Sequence, residues 1–183
     1  MKALFLISLF SFSVLATNPC ENLKIHESLT LVQTDPKHPC KPSFDNEKNR
    51  IVVRKPGYVG LDALEQVAAH EINTRNWCAL GGHYYVDANG RITQGRPETM
   101  QGANEINGVD GNKNKLGIQV LLPEGLPELP AYFVGNFTQL LACQMQKHVI
   151  LANNVKTHFY HDFHPGQLIQ DLLNQILNPK TGL

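Results

Sequence analysis

No charge of either sign dominates this sequence. Its 183 residues carry 16 Lys and Arg against 16 Asp and Glu, and only 17% of positions are charged. Such a balance supplies no positive field for phosphate backbones and no acidic tail, which argues against a nucleic-acid partner. Beyond the first residues there is no apolar stretch near the roughly 20 residues needed to cross a bilayer. The four Cys include no C-x-x-C pair, so a cysteine-ligated zinc is not expected. Internal repeats are lacking too. With 42% hydrophobic residues, 11 Pro and 14 Gly, the composition is that of an ordinary globular chain. It is not that of collagen, a heptad repeat or a disordered segment. At 20.4 kDa the chain can build one core and is too short for two comfortable domains. What it has in excess is His, eight in all, a residue suited to metal and proton chemistry.

Residues 1–16 have a single positive charge at Lys2, a short apolar run and small residues up to Ala16. This pattern predicts a signal peptide, and with it a secreted or periplasmic protein with no membrane span after cleavage. Residues 17–48 read as an irregular arm, broken by Asn18-Pro19, Asp35-Pro36, His38-Pro39 and Lys41-Pro42, and residues 49–183 as the folded domain. In an oxidising compartment Cys20, Cys40, Cys78 and Cys143 are expected to form disulfides. Four cysteines allow three pairings; Cys20 with Cys40 is favoured, because it would staple the arm at about 3 kcal/mol in the chain-entropy picture. Cys78 and Cys143 are then left to pair or to stay as buried thiols.

The β-branched run Arg50–Arg54 predicts a strand ended by Pro56-Gly57. Leu61, Leu64, Val67, Ala68 and Ile72 share one face of a helix over 62–73. His83–Val86 and Arg91–Gly95 flank Asp87-Ala88-Asn89-Gly90 as a hairpin. Leu116–Leu122 has the continuous apolar character of an inner strand. After a Pro-rich loop over 123–130 the pattern gives a helix over 138–152, a short strand at 155–158 and a closing helix over 167–177. The fold class is therefore α/β, a single domain with a central mixed β-sheet flanked by about three helices.

The most unusual local sequence is Thr157-His158-Phe159-Tyr160-His161-Asp162-Phe163-His164-Pro165-Gly166. Three imidazoles at spacings of three, in a loop between strand and helix, can converge as zinc ligands or stand as a solvated polar loop. The segment from Trp77 through Gly82-His83-Tyr84-Tyr85-Val86-Asp87 to Gly95-Arg96 resembles the hairpin of zinc-dependent N-acetylmuramoyl-L-alanine amidases and peptidoglycan recognition proteins. Gly102-Ala103-Asn104 is similar to that family's Gly-Ala-His, and Asn114-Lys115-Leu116-Gly117-Ile118 to its Asn-Ser-Ile-Gly-Ile strand. The His158 segment with Pro165-Gly166 resembles the family's closing loop. The likeness runs in order over roughly residues 50–177.

The resemblance implies one zinc on the floor of a groove that holds peptidoglycan or a muropeptide. There the metal would polarise the muramoyl–L-Ala amide, and a metal-bound water would attack it. By position it implies His158 and His164 as ligands, with His161 the rival for either place. It also places substitutions at the working positions. The first-strand ligand is Arg54, which has no lone pair to donate. The Tyr of many members falls on Gly82. The central-strand Glu is Gln119, which cannot take a proton as a carboxylate does, and the groove His is Asn104. Arg54, Arg96, Asn104 and Gln119 are the candidate substrate-binding residues, Arg96 having a surface ion pair with Glu98 as its plainer alternative. Three functions follow: a zinc amidase if the metal site is complete, a catalytically silent peptidoglycan-binding protein, or an exported effector or inhibitor whose groove takes a protein. His70, Trp77 and His148 are expected to be packing residues, and Asn136-Phe137-Thr138 is a glycosylation sequon.

Overall fold

The computed structural model describes residues 18–27, 47–56, 64–75, 77, 79–103, 112–158 and 164–178, with the side chains of His164 and Pro165 excluded. Within these residues the strands are β1 (Ile25–Glu27), β2 (Arg50–Arg54), β3 (Tyr84–Asp87), β4 (Ile92–Gln94), β5 (Lys115–Leu121) and β6 (Val155–His158). The helices are α1 (Leu64–Ala68), which runs on as a π-helical turn over Ala69–Thr74, then α2 (Ala131–His148) and α3 (His164–Leu177). The strands form one six-stranded mixed sheet in the order β1-β4-β3-β5-β2-β6. Only β3 and β4 pair antiparallel; β1 with β4, β3 with β5, β5 with β2 and β2 with β6 are parallel. The expected α/β fold, with three helices about a mixed sheet, is what the chain adopts.

Alternation along the strands sorts side chains onto two faces. Ile51, Val53, Tyr84, Val86, Leu116, Ile118 and Val120 point to one face and are sealed by Phe133, Phe137, Leu140 and Leu141 of α2 and Ile169, Leu172 and Leu173 of α3. The opposite face carries Tyr85 and Leu121, covered by Val67 and Ala68 of α1 together with Leu80. The larger core is thus behind the sheet, and α1 with Leu80 covers the opposite face at Tyr85 and Leu121.

The hairpin forms as expected. Asp87 Oδ1 accepts from the backbone N–H groups of Asn89 and Arg91, both at 2.9 Å, and Gly90 adopts φ +76°. A Cβ at Gly90 would also lie 2.4 Å from the Tyr132 carbonyl oxygen, so the turn and the start of α2 lock together. Helix α2 begins seven residues earlier than its sequence pattern indicates, directly after Pro130. Phe133 and Phe137, one helical turn apart, stack with ring centroids at 5.3 Å and are fully buried. That burial outweighs the weak helix propensity of the residues around Gly135. The sequon lies inside this helix, where Asn136 Nδ2 donates to the Gly90 carbonyl at 2.8 Å.

The N-terminal arm differs most from the sequence reading. Part of it is regular: β1 joins the sheet beside β4, with Ile25 opposite Ile92. The favoured Cys20–Cys40 pair is not formed; Cys20 is bonded to Cys143 of α2, with a Cα–Cα distance of 4.7 Å. Sequence proximity misleads here because the residues before edge strand β1 pack on α2, where Gln139 Nε2 also donates to the Glu21 carbonyl at 2.9 Å. Cys40 and Cys78, like the signal segment, lie outside the described residues. No described helix is long and apolar enough to cross a membrane.

A bond spanning 123 residues removes much of the freedom of the unfolded chain, on the order of 4–5 kcal/mol in the chain-entropy picture. Cys20→Ser is therefore expected to lower the unfolding temperature under non-reducing conditions by many degrees. Peptide mapping of the unreduced protein should recover a Cys20–Cys143 cross-link; a Cys20–Cys40 peptide would contradict the fold described.

Candidate functional site

Strand register builds the site. Tyr85 of β3 is paired with Gln119 of β5, Gln119 with Arg54 of β2, and Arg54 with His158 of β6. In-register neighbours on adjacent strands project to the same face about 4.8 Å apart. Four polar residues therefore form a single row on the α1 side of the sheet. Arg54 and His158 are the last residues of their parallel strands, the end at which open α/β sheets receive ligands. Three of the candidates chosen from sequence, Arg54, Gln119 and His158, are brought together in this way.

Glu71 meets the row from the α1 side and was not singled out by sequence. It sits in the π-helical turn and is 5% exposed. Its Oε2 accepts from the Gly81 backbone N–H at 2.8 Å and from the Tyr85 hydroxyl at 3.1 Å. The Tyr85 hydroxyl accepts in turn from the Gly82 N–H at 2.9 Å and from Gln119 Nε2 at 3.2 Å. Burial pushes the Glu71 carboxyl above its ordinary range, opposed by those hydrogen bonds, by one from Gln119 and by the charge of Arg54. Burial also pushes the Tyr85 hydroxyl well above its ordinary value, assisted by the Glu71 charge. A legible signal existed: Glu71 is seven residues after Leu64 and four after Val67, on the inward stripe of the helix.

The vacancy of a side chain at position 82 now has a reason. A Cβ on Gly82 would stand 2.9 Å from Gln119 Cγ and 3.1 Å from Tyr85 Cζ. The Tyr85 ring and the Gln119 amide fill that space from below, leaving no room for another tyrosine unless both move.

His83 fastens the strand to its surroundings. It donates its backbone N–H to the Gly117 carbonyl, its Nδ1 accepts from the Gly117 N–H, and its Nε2 contacts the Met100 carbonyl, each at 2.9 Å. Because Gly117 supplies a donor, Nδ1 must be the unprotonated nitrogen and Nε2 must carry the hydrogen. Complete burial pushes the imidazole down to about 4.

Arg96 braces the neighbouring loop. Its Nε donates to the Leu80 carbonyl at 2.6 Å, Nη1 to Gln101 at 2.6 Å and Nη2 to Ala79 at 3.4 Å. These backbone bonds assign it a supporting role beside the row. Glu98, its alternative partner, is held instead by Lys147 Nζ at 2.8 Å, His148 Nε2 at 2.9 Å and the Tyr84 hydroxyl. His148 thus belongs to this ion-pair cluster, and the Trp77 ring takes the Arg75 guanidinium at 5.3 Å. His70 Nε2 accepts from Arg75 Nε at 3.3 Å. Asn104 and His161 lie outside the described residues; His164 opens α3, its side chain likewise outside them.

Among the described residues no group of three or more His, Cys, Asp or Glu could hold a metal ion. In the row itself His158 is the single metal-ligating side chain, and its register partner is a guanidinium. A fixed cation with no lone pair neither ligates zinc nor tolerates it close by. Of the three candidate ligands only His158 has a described side chain, and the Arg54 guanidinium paired with its strand position cannot serve as a further one.

This architecture, a mixed sheet with its helical core behind and a polar row in front, is the fold shared by N-acetylmuramoyl-L-alanine amidases and peptidoglycan recognition proteins. The endolysin N-acetylmuramoyl-L-alanine amidase LysCS of Clostridium intestinale superposes with a TM-score of 0.56 at 24% identity, over 74% of this chain and 80% of that one. PGRP-Hd of Alvinella pompejana gives 0.58 at 15% identity, over 83% and 95%. Drosophila peptidoglycan recognition protein SD gives 0.55 at 14%, over 74% and 83%. No protein family's sequence profile matches the chain, and no curated protein matches it significantly.

Two outcomes test the site. His83 binds its proton less readily in the fold, at about 4, than in the unfolded chain at 6.5. Its contribution is thus full above pH 6.5, declines as pH falls toward 4 and levels off below, a loss on the order of 3 kcal/mol. Urea unfolding should show the His83→Gln variant less stable at pH 7 yet losing less than the wild type between pH 6.5 and 4. Glu71→Ala strands the Gly81 N–H and the Tyr85 hydroxyl in a dry site. It should cost about 3–5 kcal/mol in the same assay.

Proposed function

We propose that this protein is exported and binds peptidoglycan fragments in the groove over the Tyr85–Gln119–Arg54–His158 row without hydrolysing them. The observation that carries the reading is the register pairing of Arg54 with His158. It supports a permanent positive charge beside His158, the position to which the resemblance assigns a metal ligand. The rest of the row supports binding over chemistry. Gln119 cannot exchange a proton as a carboxylate does. The Tyr85 hydroxyl is raised in pKa and sealed beneath the surface, and Glu71 is spent on holding Gly81 and Tyr85. The fold is one used by amidases and recognition proteins alike, so the site decides between them. Export to an extracellular or periplasmic space is supported by the Cys20–Cys143 disulfide and by the composition of residues 1–16.

A second reading, a zinc-dependent muramoyl–L-alanine amidase, is favoured by one feature. His158 ends β6 and His164 begins α3, with His161 between them in sequence. In that case His158, His161 and His164 would supply the ligands, and zinc would supply the Lewis acid for the amide carbonyl.

Two measurements on the purified mature protein separate these readings. Sedimentation with insoluble sacculi should retain it, and incubation should release no peptide from them. Metal emission spectroscopy should find less than about 0.2 equivalents of zinc. Stoichiometric zinc with peptide release would establish the amidase instead. Failure to sediment with sacculi would remove peptidoglycan as the ligand and favour a protein partner.

A further inference from the structure

We infer that Arg54 is a carboxylate-binding subsite, taking a free carboxylate of a muramoyl ligand; this rests on the peptidoglycan reading above. Arg54 Nε is buried and has no hydrogen-bond partner among the described residues. Folded proteins rarely leave a buried donor unmet, and those that do commonly hold it for a ligand or water. Glu71 is near enough for its charge to be felt by Arg54. Yet the described hydrogen bonds to its Oε2 come from Gly81 and Tyr85. The nearby carboxylate offsets the charge of a half-buried guanidinium, while the Nε–H is left unpaired among the described residues.

The shape of the group selects the ligand. Nε–H and a neighbouring Nη–H are two parallel donors on one plane, matching the two oxygens of a carboxylate. An amide carbonyl presents one oxygen, and a sugar hydroxyl has neither the charge nor the second acceptor. The Arg54 backbone is held between β5 and β6, paired with Gln119 on one side and His158 on the other, so the sheet fixes where the side chain starts. Lysine at this position would supply a point charge without the fork.

A muramoyl ligand has two sources of carboxylate, the lactyl group of peptide-free N-acetylmuramic acid and the stem peptide. Calorimetric titration of the mature protein with N-acetylmuramic acid against its methyl ester, and with muramyl dipeptide against its methyl ester, distinguishes them. In at least one pair the acid should bind about ten- to a hundredfold more tightly than the ester. Arg54→Gln should bring the acid down to the ester's level, and Arg54→Lys should restore part of the difference. Unfolding curves show whether either variant is folded, and the acid–ester comparison on the wild type needs no variant. Equal binding of acid and ester in both pairs, with sacculi still retained, would overturn the subsite and leave the binding reading intact. A preference that survives in Arg54→Gln would also overturn it. No binding of any sugar or of sacculi would overturn the reading on which it rests.

Discussion

The parallel, in-register pairing of β2 between β5 and β6 is the constraint on which the front of the molecule depends. It fixes Gln119, Arg54 and His158 in one line, and through β3 adds Tyr85 to the same line. The pairing is held from behind. Ile51 and Val53 are completely buried against the α2 and α3 core, so a one-residue slip of β2 would expose both and turn Arg54 inward. The hydrophobic face therefore sets the position of the polar one. Affinity for any ligand is bought with order that the back of the sheet has already imposed.

Charge is handled in the same layered way. The Glu71 carboxylate is inside, tied to a backbone N–H and a tyrosine, and feels the charge of the Arg54 guanidinium. A buried acid without such partners would be costly. Arg96 and His83 close the flank by holding backbone carbonyls of the 79–80 and 100–101 segments. This flank is held by bonds to backbone, which cannot change rotamer.

Much of this was legible in the sequence because the signals were local. Alternation and β-branching marked β2, β3, β5 and β6, and Asn89-Gly90 marked the hairpin. Arg54, Gln119 and His158 could be picked out by residue type along a resemblance, and the register then joined them. What escaped had long-range causes. The start of α2 depends on Phe133 and Phe137 meeting the sheet, and β1 is three residues with no apolar pattern that form a strand only by pairing with β4. The π-helical turn that aims Glu71 inward leaves no period of its own. Tyr85 read as one aromatic in a hairpin, since its function lies in what its hydroxyl touches.

The Cys20–Cys143 link has a consequence for biogenesis. A chain emerging from its amino end exposes Cys20, Cys40 and Cys78 long before Cys143 is made. An oxidant acting on consecutive thiols would join Cys20 to Cys40 first and deprive Cys143 of its native partner. Reaching the native cross-link thus requires either that Cys20 be kept reduced until α2 has formed or that an early bridge be reshuffled by thiol exchange. Yield of the correctly joined protein should then depend on the cell's disulfide isomerase as well as on the sequence itself.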